Sequence, residues 1–386
     1  MKAIAIIPLR KGSKGIPGKN KKKLFGRPLY QWVLAEAIFS NLDEIYVFTD
    51  DVEILKSIEK EYTWTNKVKG ILRSDESASD IASTEMAMLE LAKKIDYNFD
   101  IICLLQATSP LTTRLNINEC LIKLETDNVD SVLSVVETKR FIWSKEGESL
   151  NYNFLKRPRR QDFQGFLIEN GAVYAVKKET FISNNNRLGG NIAVINMPEE
   201  TLTEIDELSD WAIIEKLLEN RLAIFKKDPK PIKAIVFDVD GVFTDGTVAV
   251  SADTELFKSF SLRDGMGFET LIQNNILPIV LTSEDSPIVK NRMNKLKIEH
   301  VYSGVKDKFS KLDFILQTLE LHRNEIAYIG DDINDMSNLA SVAWGICPYN
   351  AVDVIKPYAD IVLNFNGGDK AIRTAIDFIV KYNHKF

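Results

Sequence analysis

Cysteine and histidine are scarce in this 386-residue chain, three of each. None of them stands at the spacing that a zinc or thiolate site needs, so any metal here must be held by oxygen ligands. Cys103, Cys120 and Cys347 are too few and too scattered for a disulfide framework and fit a reducing compartment as packing residues. Long apolar runs are missing as well. Residues 3–8 are apolar but too short for a secretory signal, and no later run approaches a membrane span. A cytoplasmic protein with no membrane partner is expected. Positive charge is not in excess: 49 Lys and Arg face 55 Asp and Glu, a net charge of −6. That excludes a general nucleic-acid binder, which needs a basic face for backbone phosphates. The chain also has no internal repeat and no low-complexity tract.

What is present is ample core material, with 45% hydrophobic and 27% charged residues. The length exceeds what one hydrophobic core usually organises. Short β-branched runs alternate with amphipathic stretches, the pattern of parallel sheets with helical crossovers. Strands are predicted at 3–8, 44–49, 101–105 and 131–136, then at 232–237, 277–281, 326–329 and 361–363. Lysines and prolines between the two series read as a linker. The fold class expected is α/β with two Rossmann-like domains, 1–225 and 232–386, joined by 226–231. Each site should lie at strand C-terminal ends.

After the first strand, residues 9–20 place three glycines among four cations. Glycines let backbone N–H groups approach an anion, and Arg and Lys neutralise a polyphosphate as charge develops on it. The spacing is not that of a P-loop: one residue too many separates Gly12 from Gly18, and Asn20 replaces the magnesium-binding Ser or Thr. The dinucleotide G-x-G-x-x-G pattern is absent too. A second basic run, Lys156-Arg157-Pro158-Arg159-Arg160-Gln161-Asp162, is followed by Glu169-Asn170-Gly171.

Together with Leu105-Gln106-Ala107-Thr108-Ser109-Pro110-Leu111, these stretches resemble the CMP-sialic acid synthetases (N-acylneuraminate cytidylyltransferases), which have a nucleotide-diphospho-sugar transferase-like fold. The resemblance implies that Arg10, Ser13, Lys19 and Asn20 hold the phosphates of CTP. Arg73 and the segment with Ala82 and Thr84 would contact cytosine and ribose, and Gln106 the acceptor sugar. Arg159 matches an active-site position of the animal-type enzymes, with Arg160 and Gln161 beside it facing the sugar carboxylate. A planar guanidinium suits that contact. The family's paired aspartates align with Glu204 and Asp206, implying a Mg2+ site in which the first ligand is Glu. An acidic first turn of the following helix is the competing reading of this pair.

In the second half, Asp238 and Asp240 stand two apart beyond a strand, offering a carboxylate nucleophile and a second carboxyl for proton transfer. Thr282 ends another strand, Lys308 precedes a helix, and Gly330-Asp331-Asp332-Ile333-Asn334-Asp335 follows a third strand. In this order the set resembles the haloacid dehalogenase superfamily, specifically the capless phosphatases of 3-deoxy-octulosonate and sialate phosphates. Arg263-Asp264-Gly265-Met266-Gly267 and residues 367–373 match further elements of that subgroup. The resemblance implies attack by Asp238, acid–base work by Asp240, and stabilisation of the phosphoryl group by Thr282 and Lys308. It implies Mg2+ among Asp238, Asp240 and Asp331, with Asp335 orienting that shell.

Residues 247–262 read as a hairpin flap, leaving the site open. A neighbouring subunit, through residues 367–373, is expected to close it in a homotetramer formed by the C-terminal domain. The expected partners are CTP, a sialic acid or related nonulosonic acid, and its 9-phosphate. Transfer to another ulosonic acid (octulosonate, legionaminate), or a silent C-terminal oligomerisation module, are the alternatives. Retention of Asp238, Asp240, Thr282, Lys308 and Asp331 argues for activity.

Overall fold

The structure, a computed structural model, describes residues 1–386 apart from 13, 14, 127, 227, 229 and 253. The chain forms two compact units, Met1–Lys22 with Pro28–Ile214 and Lys23–Arg27 with Glu215–Phe386.

The first unit is built on a seven-stranded sheet: β1 (Ala3–Leu9), β2 (Glu44–Thr49), β3 (Val68–Leu72), β4 (Ile101–Leu105), β5 (Ser131–Thr138), β6 (Phe166–Lys177) and β7 (Ile192–Asn196). The strand order is β3-β2-β1-β4-β6-β5-β7. A strand covered on both faces must be apolar at every position, and β1 is. Its Ala3, Ala5, Ile7 and Leu9 enter the core on one face of the sheet, while Ile4 and Ile6 enter the core on the other. The sheet departs from the all-parallel expectation at β6, which runs antiparallel to β4 and β5. Among the described residues only a 3-10 turn, Phe154–Lys156, stands between β5 and β6, and a return without a crossover helix suits antiparallel pairing.

The second unit carries a six-stranded parallel sheet of β8 (Ala234–Phe237), β9 (Leu277–Leu281), β10 (His300–Tyr302), β11 (Ile326–Ile329), β12 (Trp344–Cys347) and β13 (Ile361–Val362). The order is β10-β9-β8-β11-β12-β13, so β8 is central. Phe237, Phe243 and Phe268 close the core under the loop that follows β8, with the rings of Phe243 and Phe268 stacked at 5.5 Å. The flap is the two-stranded hairpin Ala249–Val250/Glu255–Phe257, as expected in place of a cap domain.

Residues 263–267 and 367–373 are brought together. The N-cap of helix Ala371–Asn383, Lys370, contributes no side-chain bond. Asp264 does so instead, accepting from the Arg373 amide at 2.9 Å. Gly367 and Gly368 lie on the loop after β8 of their own chain, with the Gly368 amide donating to Val242 O at 3.0 Å. The segment expected to reach a neighbour is thus engaged within its own unit.

All three cysteines are buried. Among the described residues no helix is long and apolar enough to cross a membrane.

Candidate functional site

In the first unit β1 and β4 end side by side and deliver Arg10 and Gln106 to one rim. A cleft of about 330 Å³ opens there, lined by Arg10, Lys19, Asn20, Arg73, Ala82, Thr84 and Gln106 among others. The structure thereby unites most of the nucleotide residues named from the sequence; Ser13 lies outside the described residues. Each has a local reason for its place. Asn20 donates to the Arg10 carbonyl at 3.0 Å, which ties it to the end of β1. The Arg73 amide donates to Thr49 O at 2.9 Å, and its buried guanidinium donates to Ser77 Oγ at 3.2 Å and to the Ser77 carbonyl. Ser83 caps the helix Thr84–Lys94 by accepting from the Met86 amide, which aims Thr84 at the cleft. Arg10 meets Asp80 at 2.9 Å, an exposed pair of little intrinsic strength.

Lys19 lies against the acidic pair. Its Nζ donates to Ile205 O at 2.8 Å and lies 3.3 Å from Asp206, whose carboxylate is 75% exposed. Glu204 is more enclosed. Burial, then the charge of Asp206, raises its pKa, and Thr108 Oγ1 donates to it at 3.4 Å. Gly171, at φ 67°, lies under the Glu204 carboxyl, where any Cβ would collide with it. A side chain one methylene longer than Asp is thus accommodated by a neighbour that has none.

Arg159 and Arg160 are exposed and line a separate open depression with Lys139, Arg140, Phe141, Arg157, Pro158 and Glu199; Gln161 is exposed beside them. The structure does not bring them into the lining of the cleft at the ends of β1 and β4. Arg157 is held by aromatic faces, 4.6 Å from the Phe141 centroid.

In the second unit the end of β8 delivers Asp238, whose amide donates to Ile329 O at 2.9 Å. Its Oδ1 accepts from the Val239 amide at 2.7 Å and its Oδ2 lies 2.7 Å from Lys308 Nζ. Lys308, 1% exposed, also reaches Asp335 Oδ1 at 2.7 Å. Burial alone would lower the lysine pKa, but the two carboxylates outweigh it and the ammonium is held charged. Asp335 is saturated: Tyr328 Oη donates to it at 2.6 Å, and the amides of Asp331 and Asp332 at 3.2 and 3.4 Å. Thr282 is buried at the end of β9, next to β8 in the sheet.

Asp331 differs from Asp335. Its Oδ1 is buried with no hydrogen-bond partner among the described residues. Burial, then Asp238 and Asp335, push its carboxyl up to about 8, and burial pushes Asp238 up to about 7. Asp238, Asp331 and Asp335 offer oxygens within 4.8 Å of one another, the sole such cluster among the described residues. A solitary buried carboxylate oxygen facing two more carboxylates fits a hard divalent cation. Gly241, at φ 80°, passes so close to Asp331 Oδ2 that no side chain could stand there.

The sequence reading missed Lys258, whose side chain is 2% exposed and lies 2.7 Å from Asp240 Oδ1. It sits in the flap between Phe257 and Ser259, where a buried lysine cannot be told from a solvated one. Asp307, one residue before Lys308, and Tyr328, in mid-strand, were missed for the same reason.

Comparison with known proteins gives the family of each half. Residues 4–229 match the family model described as cytidylyltransferase, and residues 270–376 match haloacid dehalogenase-like hydrolase. The chain is 32% identical over 397 residues to N-acylneuraminate cytidylyltransferase A of Danio rerio, covering 99% of this chain and 89% of that one. It is 34% identical over 149 residues to the 3-deoxy-D-manno-octulosonate 8-phosphate phosphatase of Yersinia pestis, covering 39% of this chain and 80% of the relative. Among solved structures, the cobalt-bound deoxy-D-mannose-octulosonate 8-phosphate phosphatase of Haemophilus influenzae superposes with a TM-score of 0.39 at 34% identity, covering 40% of this chain and 91% of that one. With a matching model over more than half its length and relatives aligned nearly end to end, the chain belongs to the cytidylyltransferase family and carries a haloacid dehalogenase-like hydrolase behind it.

Proposed function

We propose that this protein activates a sialic acid, an N-acylneuraminate or deaminated nonulosonate, by transferring CMP to it from CTP, and that its second half releases the same sugar from its 9-phosphate. The observation that carries the reading is the meeting of Arg10, Lys19, Asn20, Arg73 and Gln106 around one cleft. Residues 1–225 would perform the transfer and 232–386 the hydrolysis.

In the cleft, Arg10, Lys19 and Asn20 hold the triphosphate, while Arg73 and the Ala82–Thr84 segment hold cytosine and ribose. Gln106 orients the sugar so that its anomeric hydroxyl attacks the α-phosphorus in line, and pyrophosphate departs onto the glycine loop. The sugar carboxylate is carried by the anomeric carbon itself, so Arg159, Arg160 and Gln161 would meet it by bringing their basic loop over the cleft once the sugar is bound. The step is positioning plus charge stabilisation, with no covalent enzyme intermediate. Glu204 and Asp206 would hold a Mg2+ ion, which supplies charge neutralisation across the phosphates.

In the second unit, Asp238 attacks the phosphorus of the 9-phosphate. Asp240 gives a proton to the departing sugar hydroxyl, then takes one from the water that cleaves the aspartyl phosphate. Thr282 and Lys308 bind the phosphoryl oxygens. Lys258 holds Asp240 in place, and Asp335 holds Lys308. Asp238, Asp331 and the Asp240 carbonyl would hold a second Mg2+, which polarises the phosphoryl group. The flap leaves this site open, and we infer a homotetramer that closes it.

The test measures pyrophosphate and phosphate release separately, with CTP, magnesium and a panel of nonulosonic acids and their 9-phosphates. Pyrophosphate release with a sialic acid and phosphate release from its 9-phosphate are expected; release with octulosonate or legionaminate alone would overturn the substrate assignment. Phosphate release by no substrate would favour a silent second half.

A further inference from the structure

The second unit is discontinuous, taking in Lys23–Arg27 from far upstream of Asp238. Arg27 is 4% exposed there, and its Nη2 donates to Asp307 Oδ1 at 3.0 Å, to Asp307 Oδ2 at 3.1 Å and to Ser310 Oγ at 3.0 Å. The guanidinium stands 4.5 Å from the ring centroid of Phe309. Asp307 is the N-cap of helix Lys308–Thr318, accepting from the Ser310 amide at 3.3 Å. The first residue of that helix is Lys308, the lysine that reaches Asp238.

The two residues before Arg27 touch the other wall of the phosphate site. Ser337 Oγ donates to the Phe25 carbonyl at 2.5 Å. Gly26, at φ 83°, passes Ile333 O so closely that a Cβ would collide with it, and Ile333 lies between Asp331 and Asp335. Three consecutive residues therefore brace both the lysine helix and the acidic loop.

We propose that Arg27, seated by the turn Phe25-Gly26-Arg27, is a positioning residue for phosphoryl transfer, acting through Asp307 on Lys308. The proposal rests on the hydrolase reading of this unit. A buried carboxylate at an N-cap needs its cation, and without one it must turn toward water or take up a proton. Either outcome loosens the first helical turn and moves Lys308 away from Asp238. Displacement of a charge aimed at the reacting phosphoryl group by about 1 Å can lower a rate on the order of 100-fold. Because Lys308 acts most strongly as charge moves onto that group, the loss falls on kcat rather than KM.

The experiment compares the full chain with Arg27→Ala and Arg27→Lys, using p-nitrophenyl phosphate and magnesium, and follows amide hydrogen exchange of each protein. Arg27→Ala is expected to lose about 10- to 100-fold in kcat with KM little changed. Faster exchange should be confined to residues 308–311 and 333–337, and Arg27→Lys should recover most of the rate. Unchanged kcat in Arg27→Ala, or a loss accompanied by faster exchange throughout the unit, would overturn the proposal. Should the wild type itself release no phosphate, the hydrolase reading fails; the exchange pattern then decides the bracing alone, with unaltered protection at 308–311 refuting it.

Discussion

The two sites proposed here for phosphate chemistry are built differently. In the first unit two of the cleft's cations are paired to exposed acids: Arg10 meets Asp80, and Lys19 leans on Asp206, itself three-quarters exposed. In the second unit Lys308, Asp238 and Asp335 are buried and bonded to one another before any substrate arrives. A long, flexible triphosphate, the guest we propose there, carries enough charge to draw such cations away from exposed partners. On the proposed mechanism, a phosphoryl group attacked by the protein's own carboxylate needs groups that are already in place, because any reorganisation adds to the barrier.

The sharpest way to break this contrast is Asp238→Asn, which keeps shape and removes the proposed nucleophile. Phosphate release should fall on the order of 10³-fold or more, while pyrophosphate release stays at the wild-type rate; loss of both would mean that the two chemistries are not separable. Next in size, Lys19→Ala should lower pyrophosphate release by about 10²-fold and leave phosphate release alone, as read in the same paired assays.

Acidity sharpens the contrast further. Asp238 and Asp331 are pushed up to about 7 and about 8 by burial in the absence of a cation. Their folded forms thus keep protons that the unfolded chain gives up near pH 4, so the stability they contribute is greatest below that and is lost as pH rises through 7 and 8. In chelator, the second unit should melt at falling temperatures between pH 5 and pH 8, and magnesium should flatten that slope. In the first unit, Glu44 is driven the other way. Burial would raise it, but Lys69, Tyr46 and Lys2 hold it at about 2. Its contribution is present above the ordinary carboxylate range and is lost only as pH falls toward 2, so it adds no slope between pH 5 and pH 8. Calorimetry of the full chain across that range checks both statements; equal slopes with and without magnesium would contradict the cation site.

The smallest effect is expected from Glu204→Asp. Gly171 leaves space beneath the carboxyl, so the shorter side chain should change the magnesium concentration needed for half-maximal pyrophosphate release more than the maximal rate.

Much of this was legible in the amino-acid order, for physical reasons. β1 and β8 are apolar at nearly every position and end in loops rich in Gly, Asp or Arg, so strand and site announce each other. The edge strand β3, Val68-Lys69-Gly70-Ile71-Leu72, is half exposed and carries no periodicity to read. β6 was hidden because its direction depends on what precedes it, not on its own residues. Within the sites, motif residues showed themselves by spacing, whereas Lys258 and Asp307 acquire meaning only from partners that folding supplies. Arg159 and Arg160 were conspicuous as charge, yet their sequence could not place them outside the cleft lining.

The pairing of Arg27 with Asp307 spans 280 residues of chain. In synthesis from the N-terminus, the turn that holds Arg27 leaves the ribosome long before its partner exists. Closing so wide a loop is a slow, entropically costly event. The last step in assembling the hydrolase should therefore be the capture of one of the first segments made, and refolding followed at the start of helix Lys308–Thr318 should lag behind formation of the β8-centred sheet.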